Sequence, residues 1–442
     1  MKAIIFDLDK TLFDTESCDV YLRTRAGRDA ICGLLRAGVL NTPPVDPRIV
    51  AYVNALAIHE GIDVYIFSDS PQEYCETVLE INGIRIEESK VFGAQHKPCI
   101  PPNPIFSNYE NVLIIGDSPR DIYLGHIKKC PTIFFTPLTN FDIKFITEQS
   151  QPTAVAENLD VLAEKIKAFY QNEMIYVAPD IERHFLKASI DESMIVDIPS
   201  EDIGYSKQYI PDPGSWRPHN QQDKYTWFNV RRVIKPSKDL TPEQLEEKFK
   251  MQFYNADGKI GTSGYLHQVA YHSCLDFITW IQSKNITGDI YLIATPASVP
   301  LECNHSFPMY QVAQWWCKWL YMKKKNGQIN FKVSNGSCVE RFWPTVPAHM
   351  STGVRLVLPH LDTLGVFKDT KPFPQTASAV IILDDIVTSG SQMKAVATLL
   401  KATNIVPEEV PIYGYALAKT YRPGSTFEAT IAAFIAAEKA GA

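Results

Sequence analysis

The sequence has no pair of cysteines at CxxC spacing. Its nine cysteines, Cys18, Cys32, Cys75, Cys99, Cys130, Cys274, Cys303, Cys317 and Cys338, are scattered and odd in number. A structural zinc module or a disulfide framework is therefore not expected, and a reducing cytoplasm is the natural location. Long apolar runs are missing too. The opening Met1-Lys2-Ala3-Ile4-Ile5-Phe6 is too short for a signal peptide and leads straight into acidic residues. Later apolar stretches are strand-length or broken by charge, so no membrane-spanning helix is expected. There is no basic excess: 43 Lys and Arg face 50 Asp and Glu, a formal charge of −7. Nucleic acid is accordingly not the favoured partner. Internal repeats and low-complexity tracts are also lacking. What remains is an ordinary globular composition, 45% hydrophobic and 21% charged over 442 residues, with room for two or three domains.

Short apolar runs at Ala3–Phe6, Asp63–Phe67, Asn111–Ile115 and Thr132–Phe135 alternate with helical stretches. That alternation predicts a parallel sheet with helices on both faces. An amphipathic helix over Asn158–Tyr170 would close this first domain, 1–170. Residues 171–262 are rich in proline and aromatics and are expected to connect to, and help cover, the second domain. They hold one clear helix start, the capping box Thr241-Pro242-Glu243-Gln244. From 263 to 442 the alternation resumes: a helix at Tyr265–Ser283, strands at Asp289–Ala294, Ala379–Leu383 and Pro411–Ala416, and helices at Pro308–Tyr321 and Gln392–Ala402. An alanine-rich helix over Gly424–Ala442, started by Ser425 and Glu428, is expected to dock on the same chain. The fold class is α/β, with two doubly wound parallel-sheet domains.

Asp7-Leu8-Asp9-Lys10-Thr11 directly follows the first apolar run. Carboxylates just past the carboxyl end of such a strand stand where open α/β sheets bind ligands. Ser68 ends the second run, Gly116-Asp117-Ser118-Pro119-Arg120-Asp121 ends the third, and Lys97 lies between them. The four segments, in this order, resemble the motifs of haloacid dehalogenase superfamily phosphohydrolases. The resemblance implies that Asp7 is the nucleophile and Asp9 the general acid and base. It also implies that Ser68 and Lys97 bind the phosphoryl group. Asp7, Asp117 and the Asp9 backbone carbonyl would hold Mg²⁺, a hard cation that prefers oxygen. Asp121 would support Lys97 or the metal shell. Only a small helical insert fits between Asp14 and Asp46. A small or absent cap leaves the site open, which permits a bulky substrate such as a nucleotide, polynucleotide end or phosphoprotein. The expected partner is a phosphorylated small molecule or nucleotide.

The second informative stretch runs from Ala379 to Ser391: a buried strand, the pair Asp384-Asp385, then Ile386-Val387-Thr388-Ser389-Gly390-Ser391 opening a helix. Small residues let backbone amides approach a phosphate at a helix N-terminus. Adjacent carboxylates can accept hydrogen bonds from ribose hydroxyls. The stretch is similar to the phosphoribosyl pyrophosphate motif of type I phosphoribosyltransferases, with a competence-type flavour in Tyr415-Ala416-Leu417-Ala418-Lys419-Thr420. On that resemblance Asp384 and Asp385 contact ribose, Thr388, Ser389, Gly390 and Ser391 the 5-phosphate, and Thr295, Ala297 and Ser298 form the pyrophosphate loop. A mobile loop would fall within 334–360, where Arg341 and Arg355 are candidates for pyrophosphate but read more simply as surface arginines. Trp315, Trp316, Trp343 and Tyr421 could stack on a base, although tryptophans more often fill cores.

Together these resemblances imply a bifunctional Mg²⁺-dependent enzyme acting on phosphoribosyl pyrophosphate, a nucleobase-like acceptor and a phosphomonoester. It would make a nucleotide and remove its phosphate to leave a nucleoside, and it could form a homo-oligomer. One alternative is a phosphatase fused to a phosphoribosyltransferase-like domain that senses nucleotides or binds RNA, for which Lys323-Lys324-Lys325 is the one basic run. Another is a nucleic-acid end phosphatase.

Overall fold

The computed structural model describes residues 1–211, 221–346 and 356–421. The tail helix expected at Gly424–Ala442, and Arg355, lie outside them.

Six strands make the first sheet: β1 (Lys2–Phe6), β2 (Ile62–Phe67), β3 (Val91–Phe92), β4 (Asn111–Gly116), β5 (Thr132–Phe135) and β6 (Ala154–Ala156). Their spatial order is β3-β2-β1-β4-β5-β6, and all are parallel. β1 is central because its run Ala3–Phe6 is apolar on both faces and fully covered. Ile4 and Phe6 pack on one side and Ala3 and Ile5 on the other. The strand order reverses beside β1, where an open sheet forms a crevice at its carboxyl edge. Between Asp14 and Asp46 the chain folds a 3₁₀ turn, Glu16–Cys18, and two α-helices, Asp19–Leu22 and Arg25–Arg36. A helix over Leu159–Tyr170, capped by Asn158 accepting from the Val161 amide, closes the unit.

Ten further strands follow among the described residues: β7 (Phe185–Leu186), β8 (Ile203–Tyr209), β9 (Gln252–Tyr254), β10 (Ile260–Thr262), β11 (Gly288–Ala294), β12 (Phe331–Asn335), β13 (Val339–Arg341), β14 (Leu364–Phe367), β15 (Ala379–Val387) and β16 (Ile412–Thr420). The second main sheet has the order β12-β11-β15-β16-β8 and is again parallel throughout. One face of it buries Ile381, Leu383 and Tyr415 with the helices Leu266–Ser283 and Pro308–Lys325. The other buries Val380 and Ile382 with the helix Ser391–Ala402. β8 comes from the 171–262 stretch, which thus supplies an edge strand. That stretch also contains the capping box, with Thr241 and Gln244 exchanging side-chain-to-backbone bonds of 2.9 and 3.3 Å.

The two units touch in more than one place: Thr24 donates to Tyr254 O at 2.6 Å with the Tyr21 and Tyr254 rings 4.9 Å apart, and a second contact forms a seam around Tyr123. Tyr123, Ile181, Val299 and Cys303 form a buried cluster with Trp343 against it. The Tyr123 hydroxyl donates to Glu302 at 2.5 Å, and the Phe141 ring stacks on His305 at 4.5 Å. No helix among the described residues is long and apolar enough to cross a membrane.

Candidate active sites

The first site gathers at the carboxyl ends of β1, β2 and β4. Asp7 follows β1, and its amide donates to Ile115 O at 2.8 Å, continuing the ladder past the strand. Its carboxylate accepts from Lys97 Nζ at 2.5 Å and from the Thr11 hydroxyl at 3.1 Å. Lys97 Nζ also reaches Asp121 Oδ1 at 2.6 Å. The Lys97 backbone amide is fixed by Asp69 at 2.7 Å. Asp117 follows β4, and its amide donates to Thr11 Oγ1 at 3.1 Å. Asp9 is held by three hydroxyls: Ser68 at 3.0 Å, Ser70 at 2.8 Å and Tyr74 at 2.9 Å.

All six residues expected at this site therefore come together. Thr11, Asp69, Ser70 and Tyr74 were not singled out by their chemistry, yet each orients a carboxylate or Lys97. Thr11 stands in the first motif, four residues after Asp7, and that spacing was the available signal. Tyr74 carried none, because its role depends on a helix turning back over β1.

Asp7, Asp117 and Asp121 are buried, and one ligand atom from each lies within 4.8 Å of the others, a separation that a divalent cation can bridge. Burial pushes Asp7 well above the ordinary carboxylate range, and Asp121 and Asp117 add to this against the pull of Lys97. Asp117 is pushed up to about 7, by burial and then by Asp121. Burial works to lower Lys97, but Asp121 and Asp7 outweigh it and hold the ammonium charged. Several carboxylates crowded around one ammonium favour a hard cation. Asp121 Oδ2 is buried without a protein partner. The donor set thus fits Mg²⁺, with Asp121 nearer to it than expected.

Gly116 belongs to this geometry. A Cβ there would meet the Asp121 carboxyl at 2.2 Å. Gly116→Ala should cost about 1–3 kcal/mol of stability and displace the Asp121–Lys97 pair. Urea unfolding and phosphatase turnover would report both losses.

The second site lies at the carboxyl ends of β11 and β15. Strand β15 runs four residues beyond the expected Leu383, so Asp384 and Asp385 sit within it and not past it. The parallel register places Ala294 opposite Leu383. Thr295, next in line, donates through its amide to Leu383 O at 2.8 Å and through its hydroxyl to Asp384 at 2.7 Å. Gln392 donates to Pro296 O, tying the helix Ser391–Ala402 to the same loop. Gly390 takes φ +76 immediately before that helix, a left-handed turn that suits glycine. Around it Thr388 pairs with Thr420 and Ser389 with Ser391, each at 2.9 Å. Thr295, Asp384, Asp385 and the Thr388–Ser391 turn are thus brought to one sheet edge. Ala297 and Ser298 continue the loop: Ala297 O accepts from Arg341, and Ser298 O from the Thr345 amide.

Arg341 is not a surface residue. It is 1% exposed, donates to Ala297 O at 2.6 Å and to the Thr363 hydroxyl, and burial lowers it to about 10. Its β13 strand is too short to announce itself in sequence. Trp315 and Trp316 fill the core, with indole N–H groups donating to Glu246 and Ala270 O, and Trp343 packs at the seam. Lys323-Lys324-Lys325 closes the helix Pro308–Lys325, where the negative end of the helix dipole favours cations.

Burial pushes Asp384 up to about 8, with Asp385 adding to the shift. Asp385 is raised by burial too, against Lys235. A raised carboxyl is protonated at neutral pH and ionises as pH passes its pKa. The empty site should therefore lose stability as pH rises through about 8. As the ionised form is the better acceptor for ribose hydroxyls, affinity for ribose 5-phosphate should tighten between about pH 7 and pH 9. Calorimetry should show that trend in the wild type and a flat profile in Asp384→Asn.

No family model matches the sequence, and no curated protein matches it. Among solved structures it is similar to a hydrolase from Pseudomonas syringae, at 16% identity and TM-score 0.31, over 38% of this chain and 99% of that one. A phosphoserine phosphohydrolase-like protein from Francisella tularensis matches at 18% identity and TM-score 0.25, over 38% of this chain and 100% of that one. Adenine phosphoribosyltransferase from Saccharomyces cerevisiae matches at 13% identity and TM-score 0.19, over 40% of this chain and 86% of that one. Likenesses this distant say nothing of activity or substrate.

Proposed function

We propose that the chain is a Mg²⁺-dependent bifunctional enzyme of the reducing cytoplasm, made of a phosphomonoester hydrolase (1–170) and a phosphoribosyltransferase (263–442) joined through 171–262. The buried cluster of Asp7, Lys97, Asp117 and Asp121 carries this reading. Four ionisable groups concentrated at a sheet switch point are costly to the fold unless used.

In the first site Asp7 attacks phosphorus, the bond from phosphorus to the leaving oxygen breaks, and Asp9 gives that oxygen its proton. Asp9 then takes a proton from water as the aspartyl-phosphate is hydrolysed. Ser68 turning to a phosphoryl oxygen would free Asp9 from one of its three hydroxyls. Lys97 offsets the developing charge. Mg²⁺ held by Asp7, Asp117 and the Asp9 carbonyl, with Asp121 beside them, would neutralise phosphoryl oxygens.

In the second site Asp384 and Asp385 accept the ribose hydroxyls and the Thr388–Ser391 turn holds the 5-phosphate. Thr295, Ala297 and Ser298 line the pyrophosphate. An acceptor ring nitrogen bonds to ribose carbon 1 as the bond to pyrophosphate oxygen breaks. Its electron pair leaves with pyrophosphate, and the nitrogen's proton passes to water. The product is a nucleotide, a substrate suited to the first site.

Sequential action is supported by the seam. The loop that begins at Thr295–Ser298 continues to Cys303 and Asn304, which hold the Arg120 guanidinium at 3.3 and 3.0 Å, three residues after Asp117. With Mg²⁺, the wild type should hydrolyse p-nitrophenyl phosphate and consume phosphoribosyl pyrophosphate in the presence of a nucleobase panel. Chelation with EDTA should stop both. Activity at either site that survives chelation would contradict the reading for that site.

A further inference from the structure

Segments of the second unit stand over the entrance to the first site. Thr139 donates to Asp117 O at 2.8 Å, so the loop after β5 lies on the carboxyl edge of the first sheet. Two residues on, the Phe141 ring carries the His305 ring of the second unit. His305 is tied to a short 3₁₀ helix, Lys235–Asp239. The His305 and Ser306 amides both donate to Lys238 O, at 3.1 and 3.2 Å, and Ser306 Oγ donates to Ser237 O at 3.1 Å. At a second place β9 packs on the insert that follows Asp14, where Arg23 reaches Gln252 O at 3.3 Å and Thr24 reaches Tyr254 O. The loops met are thus one after β1 and one after β5. Strand β4, which ends in Asp117, lies between those two.

Three cations meet at this entrance. Lys10 follows Asp9 and takes φ +61, a left-handed backbone that lysine seldom adopts. Arg120 is held by Cys303 O and Asn304 and stands 4.0 Å from Asp69. Lys238 is half-buried. Burial lowers its pKa and the Arg120 charge lowers it further, against Asp239 and Asp69. Burial lowers His305 as well, so its imidazole is neutral at pH 7. Among the described residues the Lys10 and Lys238 ammonium groups make no hydrogen bond or ion pair with the protein. A half-buried cation without a counter-charge is costly unless a ligand supplies one.

We propose that the second unit roofs the first site and that Lys238, with Lys10 and Arg120, binds a second anionic group on the leaving side of the phosphomonoester, a carboxylate or another phosphate. The inference rests on the phosphohydrolase reading of Asp7 and Asp9. The scissile phosphate has Lys97 to offset its charge, which leaves the entrance cations for a different anion. A leaving group with no charge would leave Lys238 unpaired. Arg120 acts from the first unit and Lys238 from the second, so this selectivity needs both.

Steady-state kinetics on the full chain with Mg²⁺ tests it, with substrate pairs that differ by one anion. Orotidine monophosphate against uridine monophosphate probes a carboxylate, and ribulose bisphosphate against ribulose 5-phosphate probes a phosphate. In at least one pair the wild type should favour the more charged member by about tenfold or more in kcat/KM, and the pair that responds identifies the anion. Lys238→Met should cut that preference by about fivefold to fiftyfold, chiefly through KM. Lys10→Gly removes a cation and suits the left-handed backbone, so it should cut the preference without harming the fold. No preference in either pair, or a preference that both variants keep, would overturn the proposal. p-Nitrophenyl phosphate separates the two levels. If the wild type does not hydrolyse it, the phosphohydrolase reading fails and the anion site with it. If it does while neither pair shows a preference, only the anion site fails.

Discussion

Asp7→Asn should leave less than about one ten-thousandth of the wild-type turnover of p-nitrophenyl phosphate, as loss of a nucleophile that acts with its neighbours usually does. The amide keeps the size of the side chain and removes both its charge and its attacking oxygen. The fold should survive, because burial already holds the Asp7 carboxyl well above its ordinary range and so works against the charged form. The substitution removes one counter-charge from Lys97 but leaves Asp121 at 2.6 Å. Asp9→Asn should be milder, at about 10²–10⁴-fold, the range for loss of a general acid. Turnover of the two variants, measured with their melting temperatures, checks the ranking. A stable Asp7→Asn protein with near wild-type turnover would remove Asp7 as the nucleophile.

The second large effect is expected at the Asp384-Asp385 pair. Each charge-assisted hydrogen bond from a ribose hydroxyl is worth about 1.5–3 kcal/mol. Losing both in the double Asn variant should weaken phosphoribosyl pyrophosphate by about 10²–10⁴-fold. Phosphatase turnover should stay at the wild-type level, because the pair belongs to the other sheet. Asp384→Asn alone also alters the acceptor for Thr295 Oγ1, which ties the Thr295–Ser298 loop to β15. Its effect should therefore exceed that of Asp385→Asn. Isothermal titration of the three variants would show the order, and equal effects would argue against Thr295–Asp384 as the link between loop and strand.

Much of this architecture was legible because apolar strands announce themselves by composition. Ala3–Phe6 and Thr132–Phe135 are covered on both faces, and no competing pattern obscures them. The edge strands Val91–Phe92 and Ala154–Ala156 are two and three residues long, below what any periodicity can reveal. β8 was hidden for another reason. Ile203–Tyr209 is half polar and lies among prolines, and its pairing partner, β16, is some 200 residues away in sequence.

The sites show the same division. Asp7, Asp9 and Asp117 follow apolar strands and the 384–391 stretch continues from the apolar run Ala379–Leu383, so chain order alone places them at the carboxyl ends of the sheets. Tyr74 reaches Asp9 from a separate helix, and Arg341 reaches Ala297 from a three-residue strand. Such contacts are set by tertiary packing and leave no local trace.

Coupling of the two sites is the central claim, and one comparison tests it most directly. Wild type and Asp7→Asn would be incubated with Mg²⁺, phosphoribosyl pyrophosphate and a nucleobase panel supplemented with cell metabolite extract, and new ribonucleotides and nucleosides followed by mass spectrometry. The account predicts that Asp7→Asn accumulates a nucleotide which the wild type converts to its nucleoside. If neither protein consumes phosphoribosyl pyrophosphate while the wild type still hydrolyses simple phosphate esters, the coupled-enzyme account is contradicted.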